Sequence, residues 1–259
     1  MSESEIFSTS SGIIVACDVP SERLGQLVQD THNVDGIVGY KLGRMHEISG
    51  SVADGIRTVG QYTDKPVIWD VQKEGNDVEF TEPDFIRAYG RSGVHSLILF
   101  PFASPRVQAA CVKSCYENGI TPVGGFRLTQ RGFDETEEVT LKDMFPELGD
   151  ETFRGYIASD AEQRALKLYA LTGVHHFIGP GNKLDELTSM LLTLREYDVK
   201  PNVLMPGIGR QGGDIENAIQ TARDAGAVGY YGIIGSGIHR ADNPKEAAQR
   251  YGERVERFM

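Results

Sequence analysis

Three consecutive apolar runs of this 259-residue chain end in charge. The first reads Ala16-Cys17-Asp18, the second Gly39-Tyr40-Lys41-Leu42-Gly43, and the third Val67-Ile68-Trp69-Asp70, with Lys73 and Asp77 close behind. An ion pair would explain any one of these ends. Three in succession are harder to explain as structure alone, because desolvating charge seldom repays its cost. A lysine between carboxylates keeps its proton and can stabilise a developing anion or protonate it. A second chemical feature lies in the last fifth of the chain, Met205-Pro206-Gly207-Ile208-Gly209-Arg210-Gln211-Gly212-Gly213-Asp214. It follows an apolar strand and precedes a helical pattern over 215–225. Glycines at such a junction let consecutive N–H groups turn inward, and beside a helix N-terminus they suit a phosphate. Gly207, Gly209 and Gly212 also satisfy G-x-G-x-x-G. However, they do not sit on a first βα turn, and about 20 residues on, where an acidic ribose ligand belongs, stands Gly229-Tyr230-Tyr231-Gly232. The loop therefore reads as a phosphate site and not as a nucleotide-cofactor fold.

The elements that must position these groups alternate regularly. Strand patterns cover 12–18, 36–42, 66–71, 96–102, 121–126, 175–179, 202–206 and 228–235. Helical patterns cover 22–32, 52–62, 83–92, 104–118, 161–172, 183–197, 215–225 and 244–258. Eight βα units in about 250 residues predict a (β/α)₈ TIM barrel. Polar residues at the strand ends, Asp18, Lys41, Asp70, Gln211 and Ser236, would gather on its C-terminal face, whereas an open sheet would spread them along an edge. The expected organisation is a disordered tail over 1–10 and one barrel over 11–259, with an acidic insertion at about 129–160. The insertion's tip reads as a solvated excursion with a short helix around 141–145, and its root, 127–132, as a lid.

Composition narrows the partners. Asp and Glu outnumber Lys and Arg by 37 to 26, a net charge of −11. That argues against nucleic acid or an anionic membrane and leaves room for a small anionic ligand in a local cationic pocket. Cys17, Cys111 and Cys115 lack disulfide or zinc spacing, and His175-His176 on a strand point to opposite faces. With no leader-like apolar segment in the first ten residues and no run of about 20 apolar residues, a cytoplasmic location is expected.

The array resembles the orotidine 5′-phosphate decarboxylase family over nearly the whole chain. The matching pieces are Ala16-Cys17-Asp18, Lys41-Leu42-Gly43, the Asp70/Lys73/Asp77 cluster, Gly179-Pro180, Pro206-Gly207-Ile208 with Gln211-Gly212-Gly213-Asp214, and Ile234-Gly235 with Ala241-Asp242-Asn243-Pro244. The resemblance implies conversion of orotidine 5′-phosphate to uridine 5′-phosphate without cofactor or metal, in a homodimer. Lys41, Asp70, Lys73 and Asp77 would form the catalytic network, with Asp77 reaching the neighbouring subunit. Asp18 would bind ribose and Thr129 the pyrimidine edge. Gln211, with Pro206, Gly209, Arg210, Gly235 and Ser236, would hold the phosphate. The family spacing is Asp-x-Lys-x-x-Asp; the wider Asp70-x-x-Lys73-x-x-x-Asp77 requires a bulge or early helical turn at Val71-Gln72 to turn Lys73 inward. Ser236 stands where the family has an arginine, so Arg210 or Arg240 is expected to replace it. Two alternatives accompany this reading. One is a magnesium-dependent sugar-phosphate decarboxylase or aldolase of the same superfamily, with Glu47 as its nearest carboxylate. The other is a non-catalytic paralogue that binds a phosphorylated ligand.

Overall fold

The computed structural model describes residues 5–70, 76–128 and 131–258. Its strands are β1 (Ser11–Ala16), β2 (Ile37–Gly43), β3 (Val67–Asp70), β4 (Ser96–Leu99), β5 (Thr121–Gly124), β6 (Glu138–Thr140), β7 (Thr152–Arg154), β8 (His176–Ile178), β9 (Asn202–Met205) and β10 (Gly229–Ile234). The helices are α1 (Ser21–Thr31), α2 (Arg44–Ser49), α3 (Val52–Gly60), α4 (Glu82–Arg91), α5 (Pro105–Glu117), α6 (Ala161–Leu171), α7 (Leu184–Arg195), α8 (Ile215–Asp224), α9 (Ser236–His239) and α10 (Pro244–Val255). Eight parallel strands close in the order β1-β10-β9-β8-β5-β4-β3-β2, leaving β6 and β7 as a separate antiparallel hairpin. This is the (β/α)₈ TIM barrel expected from the alternation.

Strand side chains alternate between two cores, as a period of two requires. Ile14, Ala16, Ile68, Ile98, Val123, Leu204, Tyr231 and Ile233 fill the barrel interior. Ile13, Val15, Trp69, Leu97, Phe177 and Val203 face outward into the layer shared with the helices. Continuing the inward series to the end of β3 and past the ends of β1 and β10 brings Asp70, Asp18 and Gly235 to the mouth. Helix starts are fixed by side-chain caps: Ser51 accepts from Asp54 N–H, Ser104 from Val107, Asp214 from Glu216 and Asn217, and Asn243 from Glu246. Each cap stabilises by about 1 kcal/mol.

Two expectations need correction. Residues 5–10 are not a free tail, because Phe7 is buried against Tyr231, with ring centroids 4.2 Å apart, and the Tyr231 hydroxyl donates to Thr9 O at 2.6 Å. An isolated Phe in a polar segment gave little sign that it closes the barrel floor. The insertion has no helix at 141–145; a turn there leads into a 3₁₀ turn at Pro146–Leu148. Pro146 bars its predecessor from helical geometry, and Phe145 sits at φ −131°, ψ 84°.

Candidate active site at the barrel mouth

Lys41 is the centre of the charged array. Its Nζ lies 2.5 Å from Asp70 Oδ2 and 3.7 Å from Asp18 Oδ1. Register explains the meeting: Ala16 pairs with Lys41, and Gly43 with Asp70, across adjacent parallel strands. The side chains of Lys41 and Asp70 are 13% and 10% exposed, while Asp18 is 63% exposed. Burial works against the ammonium, but Asp70 and Asp18 outweigh it and hold the Lys41 pKa above the ordinary lysine value. The mouth thus holds a permanent cation between a covered carboxylate and an open one. His46 on α2 braces this end of β1. Its Nε2–H donates to Cys17 O at 2.8 Å, leaving Nδ1 to accept from the Ser21 hydroxyl at 3.2 Å.

Asp77 is exposed, with its Oδ1 accepting Val78 N–H and its own N–H donated to Glu82 Oε1. Among the described residues it forms no ion pair with Lys41, so the fold does not bring it to the Asp18–Lys41–Asp70 group. Lys73, the proposed bulge at Val71-Gln72, and Thr129 lie outside the described residues. Glu47 turns away from the mouth, accepting from Trp69 Nε1 at 2.6 Å and from the Tyr89 hydroxyl at 2.9 Å.

The glycine loop after β9 is built differently from the expected nest. Gly209 N–H bonds Gly213 O, Gly212 N–H bonds Gly209 O, and Gly213 N–H bonds Gly207 O. The glycines close the loop on itself, aided by positive φ at Gly207, Gly209 and Gly212. The helix N-terminus is likewise taken, since the Asp214 carboxylate caps α8 and pairs with Arg254. Backbone donors without a backbone partner among the described residues include those of the exposed Arg210 and Gln211, and of Gly235, Ser236 and Gly237 at the end of β10. The Tyr251 hydroxyl lies between the two loops: a Cβ on Gly209 would lie 2.8 Å from it and one on Gly237 2.7 Å. Pro206, whose carbonyl accepts Gly181 N–H at 2.9 Å, fixes the loop's start. Arg240 is exposed beyond α9, with its N–H donated to Ser236 O.

Sequence reasoning missed the anchor of the insertion. Arg127, 16% exposed, contacts Asp134 at 2.9 Å, Glu162 at 3.1 Å, Glu137 at 3.8 Å and Glu186 at 3.9 Å. Burial pushes the Glu162 carboxyl above its ordinary value despite the guanidinium beside it. Only the acid-rich composition of 134–138 hinted at such a cluster. A cavity of ≈ 590 Å³ lies at the opposite end of the barrel, lined by residues such as Phe7, Thr121, His176 and Asn202, and includes none of the mouth residues. Among the described residues no His, Cys, Asp or Glu cluster is arranged to hold a metal ion, and no helix is long and apolar enough to cross a membrane.

No family model matches the chain. Curated relatives do. The orotidine 5′-phosphate decarboxylase of Thermoplasma acidophilum is 28% identical over 99 residues, 38% of this chain and 41% of the relative. That of Thermoplasma volcanium is 31% identical over 103 residues, 40% of this chain and 42% of the relative. The chain is a divergent relative of the orotidine 5′-phosphate decarboxylases. Its match spans about two fifths of the length of these curated decarboxylases. The fold likeness is wider. The orotidine 5′-monophosphate decarboxylase of Methanocaldococcus jannaschii, solved with the inhibitor BMP, superposes with a TM-score of 0.72 at 17% identity, over 96% of this chain and 100% of its own. The decarboxylase of Pyrococcus horikoshii OT3 gives 0.66 at 22% identity, over 94% and 98%. At those identities the superpositions establish the shared barrel alone.

Proposed function

We propose that the protein decarboxylates orotidine 5′-phosphate to uridine 5′-phosphate, as part of pyrimidine biosynthesis. The observation that carries this reading is the Asp18–Lys41–Asp70 chain of charges at the barrel mouth. Asp70, half of a buried pair, would face the substrate carboxylate, and loss of carbon dioxide would relieve their repulsion. The C–C bond breaks towards the ring carbon, whose electron pair is stabilised by an ammonium and then protonated, a role the reading gives to Lys73. Two like charges at about 4 Å exchange roughly 4 kcal/mol at an effective dielectric of 20, whereas the largest enzymatic accelerations need about 20 kcal/mol or more. Repulsion is therefore a minor part. Phosphate binding at Gln211, Arg210 and the amides around Ser236 would supply energy to organise the network.

Asp18 would hold ribose hydroxyls and Thr129 the pyrimidine edge. The reading includes a homodimer in which Asp77 reaches the partner's site. Exposed apolar side chains on the connections after the neighbouring strands β2 and β3, namely Met45, Ile48, Val78, Phe80 and Phe85, support an interface there. Such an enzyme would work in the cytoplasm. The magnesium-dependent alternative needs a carboxylate at the end of β2, where Lys41 stands, and Glu47 is committed to Trp69 and Tyr89. An absorbance assay of orotidine 5′-phosphate in chelator tests the proposal. Turnover is expected. Tight binding of uridine 5′-phosphate without turnover would reassign the protein as a ligand-binding paralogue.

A further inference from the structure

We infer that His239 on α9 is a specificity-determining residue that, with Asp18, reads a vicinal diol of the ligand. This inference rests on the nucleotide reading above. The inward series Tyr231, Ile233, Gly235 aims the missing side chain of Gly235 into the mouth. A Cβ there would lie 3.5 Å from Ala16 Cβ, 3.6 Å from Asp18 Oδ2 and 3.8 Å from His239 Nε2. A carboxylate oxygen and an imidazole nitrogen thus converge on one small space that glycine leaves open.

His239 is 6% exposed, and its ring bonds its own backbone. The ring keeps the capacity for one further hydrogen bond. Burial lowers its pKa, with Arg240 and Arg23 adding to the lowering; Asp18 and the ring's bond to its own backbone act the other way. A neutral ring offers one donor and one acceptor. Phosphate is a poor occupant of this space, because the Asp18 carboxylate would repel it. A hydroxyl is a good one, donating to Asp18 and exchanging a second hydrogen bond with the ring. Lys41 lies 3.7 Å from the other Asp18 oxygen. Neighbouring hydroxyls on a five-membered sugar would span Asp18 and His239 together.

The test compares dissociation constants for uridine 5′-phosphate and its 2′-deoxy and 3′-deoxy forms, in the wild type and in His239→Phe and His239→Gln. Wild type should bind at least one deoxy ligand about tenfold more weakly, the scale of one lost hydrogen bond. His239→Phe should weaken uridine 5′-phosphate by a similar factor while leaving that deoxy ligand unchanged. His239→Gln, which keeps a donor and an acceptor, should restore most of the discrimination. Equal weakening of all three ligands would mark His239 as structural and overturn the inference, as would no weakening of any. Wild type that binds none of the three would remove the nucleotide reading itself.

Discussion

Lys41 stands off-centre between its two carboxylates, 2.5 Å from Asp70 and 3.7 Å from Asp18. The short contact is the covered one and the long contact faces solvent. A ligand can therefore displace water from Asp18 while the Lys41–Asp70 pair stays intact. Substituting Lys41 by Met should leave Asp70 buried without this partner, a change that costs about 3–5 kcal/mol for comparable pairs. Urea melts at neutral pH should show that loss, and turnover should fall at least about 100-fold.

The same pair gives a pH signature. Lys41 is held above the ordinary lysine value of 10.5, so its contribution is complete below that value. It is lost as pH rises through the raised folded-state value. Wild type should thus shed stability on the alkaline side of 10.5, and Lys41→Met should show a flatter profile there.

Lys73→Ala should abolish decarboxylation and retain uridine 5′-phosphate binding, while Gln72→Ala should be mild. A severe loss in Gln72→Ala, measured as turnover under saturating substrate, would mean that Gln72 and not Lys73 faces the reaction.

The two loops over Tyr251 predict a rescue. Gly237→Ala places a methyl 2.7 Å from the Tyr251 hydroxyl, so the loop or ring must shift and KM should rise. Adding Tyr251→Phe removes that oxygen and should recover most of the loss. Arg210→Ala should raise KM more than Arg240→Ala; the reverse order would move the phosphate contact to Arg240.

Arg127→Met should free the root of the insertion, because the carboxylates of Asp134, Glu137, Glu162 and Glu186 lose a shared cation. Limited proteolysis within 131–160 should accelerate at neutral pH. Glu162 already has a raised pKa, and a raised value means that stability grows as pH falls through it. Mild acidification should therefore slow the cleavage of the variant, and unchanged cleavage would exclude Glu162 as the repulsive member.

The barrel and the Asp18–Lys41–Asp70 group were legible in the sequence because both follow from strand periodicity and from charge at strand ends. Loop chemistry was less legible. Glycine content in 207–213 announced a tight turn, but could not say that the glycine amides would bond the loop's own carbonyls and leave Arg210 and Gln211 facing outward. Asp214 is of a type that caps a helix and also stands where a phosphate loop would end, and sequence alone does not separate the two. His239 and Tyr251 reach the mouth loops from a four-residue helix and a distant helix, and Arg127 anchors the insertion from just beyond β5. Only packing between elements far apart in sequence selects them.

The floor of the barrel imposes an order on events. Thr9 meets Tyr231 across 222 positions of chain, and the Ser11 hydroxyl meets Val255 O across 244. During vectorial synthesis the first strand has no neighbour on one side until almost everything else has emerged. Its apolar faces must wait, and that wait favours slow maturation and a need for protection from self-association.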